Sequence, residues 1–152
     1  MIEQNQTLFP DFTKSLSINA PVSKVWQTIT LPERIEKWLL DDKVKVTTDW
    51  TIGNTLTIEV LEHWVLSKTT GKVLAVESER LLRYTQLSSL SRLPDELPNH
   101  CILEFRLETI ENKTRLIFTA RNFPTESIYK HMVFYWNTTL EVIKQLAEGI
   151  EI

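Results

Sequence analysis

The sequence predicts an α+β fold, a curved antiparallel sheet of about six or seven strands wrapped around a long C-terminal helix, with two short helices after the first strand. Three observations lead there. Period-two alternation recurs between residues 43 and 121 with no helical stretch inside it. The end of the chain switches to helical spacing, with Tyr129, Met132, Val133, Trp136, Leu140, Ile143 and Ala147 on one stripe. Near the start, INAPVSKVWQTITLPERIEKWLL is divided by Pro32 into two short amphipathic pieces.

The elements follow in order. Leu8, Phe12, Leu16 and Ile18 alternate loosely, so a first strand is expected over roughly residues 7–18. Pro21 suits a first helical turn, where its missing N–H would be unpaired anyway. Val22, Val25, Trp26 and Ile29 then share a helical face. Thr30 with Glu33 reads as a capping box opening a second helix, with Ile35, Trp38 and Leu39 on its buried face. KVKVT alternates, and Trp50 to Gly53 reads as a turn into a strand carrying Leu56, Ile58 and Val60 on one face. Gly71 is expected to open or bend the next strand, and LLRYTQL follows directly. SSLSRLPDELPN is a loop with two prolines. Cys101, Leu103, Phe105 and Leu107 mark the inner face of another strand, and Leu116, Phe118 and Ala120 that of the last. Thr125 is positioned to cap the terminal helix, with Glu126 at its positive end. Strands joined by short turns pair antiparallel, and one apolar sheet face needs a cover that only this helix is long enough to supply. A strongly curved sheet gripping one helix does not close along its whole length, so a cavity between them is expected.

A chain of 152 residues is expected to form one domain, 1–152, with a core large enough to need no disulfide or metal. A net charge of −3 argues against nucleic acid as partner. The lone Cys101 fits a reducing compartment. MIEQNQTLFPDF lacks a basic stretch followed by an apolar run, so no signal peptide is expected, and no window approaches the roughly 20 apolar residues of a membrane helix. A cytoplasmic location without membrane insertion follows as the expectation. Only three glycines are present, and no phosphate-cradling loop can be traced.

The chemistry-bearing residues are sparse. His63, His100, His131 and Cys101 show no metal-ligand spacing, and no metal or cofactor is expected. Cys101 shares its face with Leu103 and Phe105 and reads as a small buried hydrophobe rather than a nucleophile. Glu62 has inward parity, and Glu77 shares that of Val73 and Ala75. A carboxylate in an apolar pocket could act as acid or base; one at the rim would be solvated. Five tryptophans serve packing, ligand stacking, or both. Gln86 and Asn122 share inward parity and either orient a ligand or cap strand ends, whereas Arg83 and Arg121 have outward parity.

Four segments, INAPVSKVWQTITLPERIEKW, WTIG at Trp50, GKVLAVESERLLRYT from Gly71 and TRLIFTARNFPTE from Thr114, together make the chain resemble the START-like, birch-pollen-allergen-like helix-grip superfamily (SRPBCC). Within it, the chain is similar to the family named for the C-terminal domain of the heat-shock chaperone ATPase activator. The resemblance implies the helix-grip fold and a pocket, and no shared catalytic motif. It implies binding of a small hydrophobic or amphipathic molecule, lipid-like or aromatic, between sheet and C-terminal helix. The expected lining is Trp38, Ile58, Val60, Tyr84, Gln86, Leu103, Phe105, Phe118, Met132, Trp136 and Leu140. No catalytic residue is assigned. The alternatives are a cyclase- or hydrolase-like enzyme in the same pocket, with Glu62 or Tyr84 shuttling a proton, and an interaction module that co-regulates a chaperone. A homodimer is compatible with the sequence, and a chaperone partner rests on the resemblance alone.

Overall fold

The computed structural model describes residues 9–39, 43–62 and 64–150, apart from the side chain of Glu62. Seven strands form one curved antiparallel sheet: β1 (Phe12–Ile18), β2 (Lys43–Thr47), β3 (Thr55–Glu62), β4 (Val65–Glu77), β5 (Leu81–Ser88), β6 (Cys101–Ile110) and β7 (Lys113–Arg121). Their order across the sheet is β1-β7-β6-β5-β4-β3-β2, so β1 crosses to the far edge and every later strand pairs with its neighbour in sequence. Between β1 and β2 lie helices α1 (Val22–Thr30) and α2 (Pro32–Leu39), and the chain closes with α3 (Glu126–Ala147).

The elbow between α1 and α2 has a different cause from the expected capping box. Thr30 is the last residue of α1, and its hydroxyl donates back to the Trp26 carbonyl at 2.7 Å, so it caps nothing in α2. The break comes from Pro32, which keeps Leu31 out of the helical region (φ −75°, ψ 123°). The last carbonyls of a helix have no partner within it. Two indoles supply partners here: Trp38 Nε1 donates to Thr28 O at 2.9 Å and Trp50 Nε1 to Thr30 O at 2.6 Å. The first bond ties α2 to the end of α1, and the second ties that end to the connection between β2 and β3.

The sheet's inner face is set by register. Leu82 lies opposite Phe105, Phe105 opposite Phe118, and Leu103 opposite both Tyr84 and Ala120. All are buried, and α3 packs its Met132, Trp136, Leu140 and Ile143 among them in one core. Thr125 starts α3 as expected, its side chain accepting from the Ile128 N–H at 3.2 Å. On edge strand β1, Lys14 stands opposite Phe118 and its ammonium reaches out to the Asn137 carbonyl (3.1 Å) and Glu141 (3.3 Å). The aliphatic stem covers apolar surface while the charge ties the sheet edge to the helix.

Gly71 does not bend the chain between strands but sits inside the 13-residue β4. Its role is close approach: a Cβ there would overlap the carbonyl oxygen of Thr85 on β5. Two residues later a bulge shifts the β4–β5 register between Val73 and Ala75. The bulge overturns the parity reading of Glu77, which is exposed and pairs with Arg80 at 3.7 Å.

Candidate functional site

The predicted lining residues come together, but unequally. Trp38, Tyr84, Leu103, Phe105, Phe118, Met132, Trp136 and Leu140 are buried in the core. Their rings touch one another: Trp136 stacks on Phe118 (centroids 4.5 Å apart) and meets Phe105 edge-on (5.9 Å) and Trp38 at a tilt (5.8 Å). Tyr84 continues the chain from Phe105 to Trp50. The middle of the sheet–helix interface is therefore occupied by protein rings.

Toward β2 and β3 the cover thins. Leu56 is buried, but Ile58 and Val60, on the same face, are only half-buried, as is Val44 opposite Val60. Gln86 is half-buried and directs its amide at α3, where Nε2 lies 3.6 Å from Met132 Sδ. Asn122 has a different job. In a left-handed conformation (φ 64°) just past β7, it donates to the carbonyls of His100 (2.8 Å) and Pro98 (3.2 Å) and holds the preceding loop.

One polar atom in this cluster stands apart. Trp136 is 2% exposed, and its indole N–H has no hydrogen-bond partner among the described residues. Burial pushes the Tyr84 hydroxyl above its ordinary value, so it stays neutral and can donate. Burial also pushes the Cys101 thiol up to about 12, which makes it a poor nucleophile. The Glu62 side chain and His63 lie outside the described residues. No group of three or more His, Cys, Asp or Glu side chains among the described residues could hold a metal.

Two arrangements on the outer face were not legible in the sequence. His100 Nδ1 lies 2.9 Å from Thr85 Oγ1, and Nε2 lies 2.6 Å from Asp95 Oδ1. The His100 bond holds the Asp95 carboxyl below its ordinary value. Thr85 Oγ1 also accepts from the Lys72 N–H at 3.0 Å. A hydroxyl, an imidazole and a carboxylate in line can be a nucleophilic relay. Here Thr85 is buried and its oxygen is engaged by the β4 backbone, so the chain pins the 89–100 loop to the sheet. The second arrangement is Glu104, buried and gripped by Arg83 (2.7 Å) and Arg106 (2.8 Å). A surface hollow of 710 Å³ lies elsewhere, between β1 and the β6–β7 turn, walled by Ser15, Ser17, Asn112 and Arg115. It shares no residue with the aromatic cluster.

Residues 19–148 match the family described as Activator of Hsp90 ATPase homolog 1-like protein. A search of curated protein sequences found no match. Among solved structures, a Cytophaga hutchinsonii protein is 26% identical with a TM-score of 0.79, over 95% of this chain and 97% of that one. The Aha1 dimer from Colwellia psychrerythraea is 20% identical with a TM-score of 0.70, over 92% and 97%. DynU16, from the dynemicin biosynthetic locus, is 16% identical with a TM-score of 0.71, over 92% of this chain and 48% of that one. The last two likenesses show the fold alone. With a family match over most of its length, a seven-stranded sheet closed by a C-terminal helix and the two-helix elbow in place, the chain belongs to the Activator of Hsp90 ATPase homolog 1-like family.

Proposed function

We propose that the protein binds a small apolar molecule between α3 and the inner face of β3 to β5. The supporting observation is the half-covered stretch of that face, where Ile58 and Val60 continue the buried row begun by Leu56 but α3 no longer seals them. Apolar burial supplies affinity at roughly 25 cal/mol per Å², less the cost of ordering. Tyr84 and Gln86 supply orientation, and Met132 gives an adaptable wall. No residue here is assigned to chemistry, so the reading is of a binder rather than an enzyme, working in the cytosol. The test is a thermal-shift and tryptophan-quenching screen against neutral aromatics and lipids, repeated with Ile58→Glu. Binding lost in that variant at unchanged folding supports the site. No shift or quenching with any compound removes it.

A second reading, an interaction module or homodimer, is favoured by one feature. Trp64, Val65 and Leu66 form a run of exposed large apolar residues at the start of β4, with Trp64 94% exposed. The Colwellia relative is described as a dimer. Sedimentation of the wild type and of Trp64→Ser separates the cases: a dimer lost on substitution supports an interface there, and a monomer at all concentrations removes the homodimer.

A further inference from the structure

We infer that the tip of the β3–β4 hairpin docks the protein on an anionic lipid surface, with Trp64 seated at headgroup level. The site is the exposed run of the second reading above, given a lipid rather than a protein partner, and it does not depend on the pocket. Glu62 pairs with Val65, so the strands are joined by a two-residue turn, and Trp64 lies in it with φ 69°. A left-handed turn position suits Gly, Asn or Asp, and a bulky side chain there is strained. The indole gains no packing in return, being the most exposed large apolar side chain among the described residues. Strained positions of this kind concentrate where a protein meets its partners.

The shape of the tip selects the partner. Val65 has the parity of Ser67 opposite Val60, and Leu66, opposite Leu61, faces the other way; both are exposed. The turn after β5 accepts the Lys68 N–H at Ser89 Oγ (3.0 Å) and so brings exposed Leu90 alongside β4. Apolar surface therefore covers the apex and both faces of the hairpin. A flat protein partner covers one face of such a tip, whereas a lipid interface surrounds it, and tryptophan is favoured at headgroup depth. The charges agree. On the face of Leu61 and Leu66, Lys43 stands opposite Leu61, and Lys45 and Lys68 flank Glu59 from either side. The three lysines are exposed and Glu59 is half-buried, so cations dominate the described side chains behind the tip, in a chain whose net charge is −3. Lysines set around an apolar tip draw it to anionic headgroups.

The test is flotation of the full chain with vesicles of phosphatidylcholine alone and of phosphatidylcholine mixed with phosphatidylglycerol. Wild type, Trp64→Ser, Leu66→Ser and the double variant Lys43→Gln/Lys68→Gln are compared, with fluorescence quenching by acyl-brominated lipid as a second readout. The expected result is at least about tenfold tighter binding to the mixed vesicles, weakened by salt. Either apolar substitution should reduce binding at least about tenfold, and the lysine substitutions should abolish the preference for the mixed vesicles. Brominated lipid should quench the wild type. No binding to either vesicle, equal binding to both, or full binding by Trp64→Ser overturns the inference and leaves the pocket reading standing. A dimer that is lost in Trp64→Ser, with no vesicle binding, overturns it in favour of a second copy of the chain. If a variant does not fold, the wild-type lipid preference and quenching decide the matter without it.

Discussion

Thr85 on β5 and His100 at the entrance to β6 are joined across the outer face of the sheet, Oγ1 to Nδ1 at 2.9 Å, with both residues buried. Asp95 completes the chain at 2.6 Å from Nε2. The imidazole is therefore the post to which the proline-containing loop is tied. His100→Leu leaves a buried hydroxyl and a carboxylate without their partner. The expected loss is about 2 kcal/mol, with faster hydrogen exchange confined to residues 89–100. Denaturant melts and exchange mass spectrometry check it; uniform exchange change across the sheet would contradict a local pin.

Gly71 is required by contact rather than by conformation. The β4 and β5 backbones approach so closely there that any Cβ meets the Thr85 carbonyl. Backbone on both sides cannot yield as a flexible side chain would. Gly71→Ala should cost about 3 kcal/mol or more, beyond ordinary overpacking, and Gly149→Ala, at a left-handed position with open space, should cost less. Urea denaturation of the two variants orders them.

Glu104 predicts a pH dependence with a definite sign. Burial raises its pKa, but hydrogen bonds and charge from Arg83 and Arg106 more than offset this, and the folded-state value lies below the ordinary 4.5. A depressed carboxyl pKa contributes stability in full above the unfolded value, and that contribution is lost as pH falls through the folded value. Wild type should therefore exceed Glu104→Gln by about 1–2 kcal/mol at pH 7, and the gap should close as pH drops below 4.5. Melting temperatures of both proteins from pH 7 to pH 3 test this. A constant gap would mean the carboxylate charge contributes nothing.

The Cys101 thiol is buried and its pKa is raised to about 12. At pH 8 almost none of it is thiolate. Iodoacetamide should label the native protein at least ~100-fold more slowly than the urea-unfolded chain. Comparable rates would place the thiol in an open environment.

Sequence pattern located the strands and α3 because both report on the same buried surface: period two at Leu103, Phe105 and Leu107, helical spacing at Met132, Trp136, Leu140 and Ile143. It mistook the elbow because Thr30 fits a capping box locally, while its hydroxyl finds the Trp26 carbonyl instead. It left the facing of Glu77 open, because a bulge shifts parity without any mark in composition. Inward facing at Tyr84 and Gln86 was readable from alternation. How far α3 covers β3 was not, since it depends on sheet curvature accumulated over seven strands. The loop pin was invisible for a related reason: Thr85, Asp95 and His100 meet only once β5, the loop and β6 are folded together.

Trp38 and Trp136 allow a comparison in which the ring loss largely cancels. Both indoles are buried and in contact with each other, so replacing either by phenylalanine leaves a similar void. They differ in one bond. Trp38→Phe removes a 2.9 Å hydrogen bond and strands the Thr28 carbonyl at the end of α1, whereas Trp136→Phe removes a donor that had no partner. In ligand-free protein, Trp38→Phe should be the more destabilising by about 1–3 kcal/mol. Chemical denaturation of extracted, ligand-stripped samples measures it. Equal costs would mean the Trp136 N–H is paired in solution.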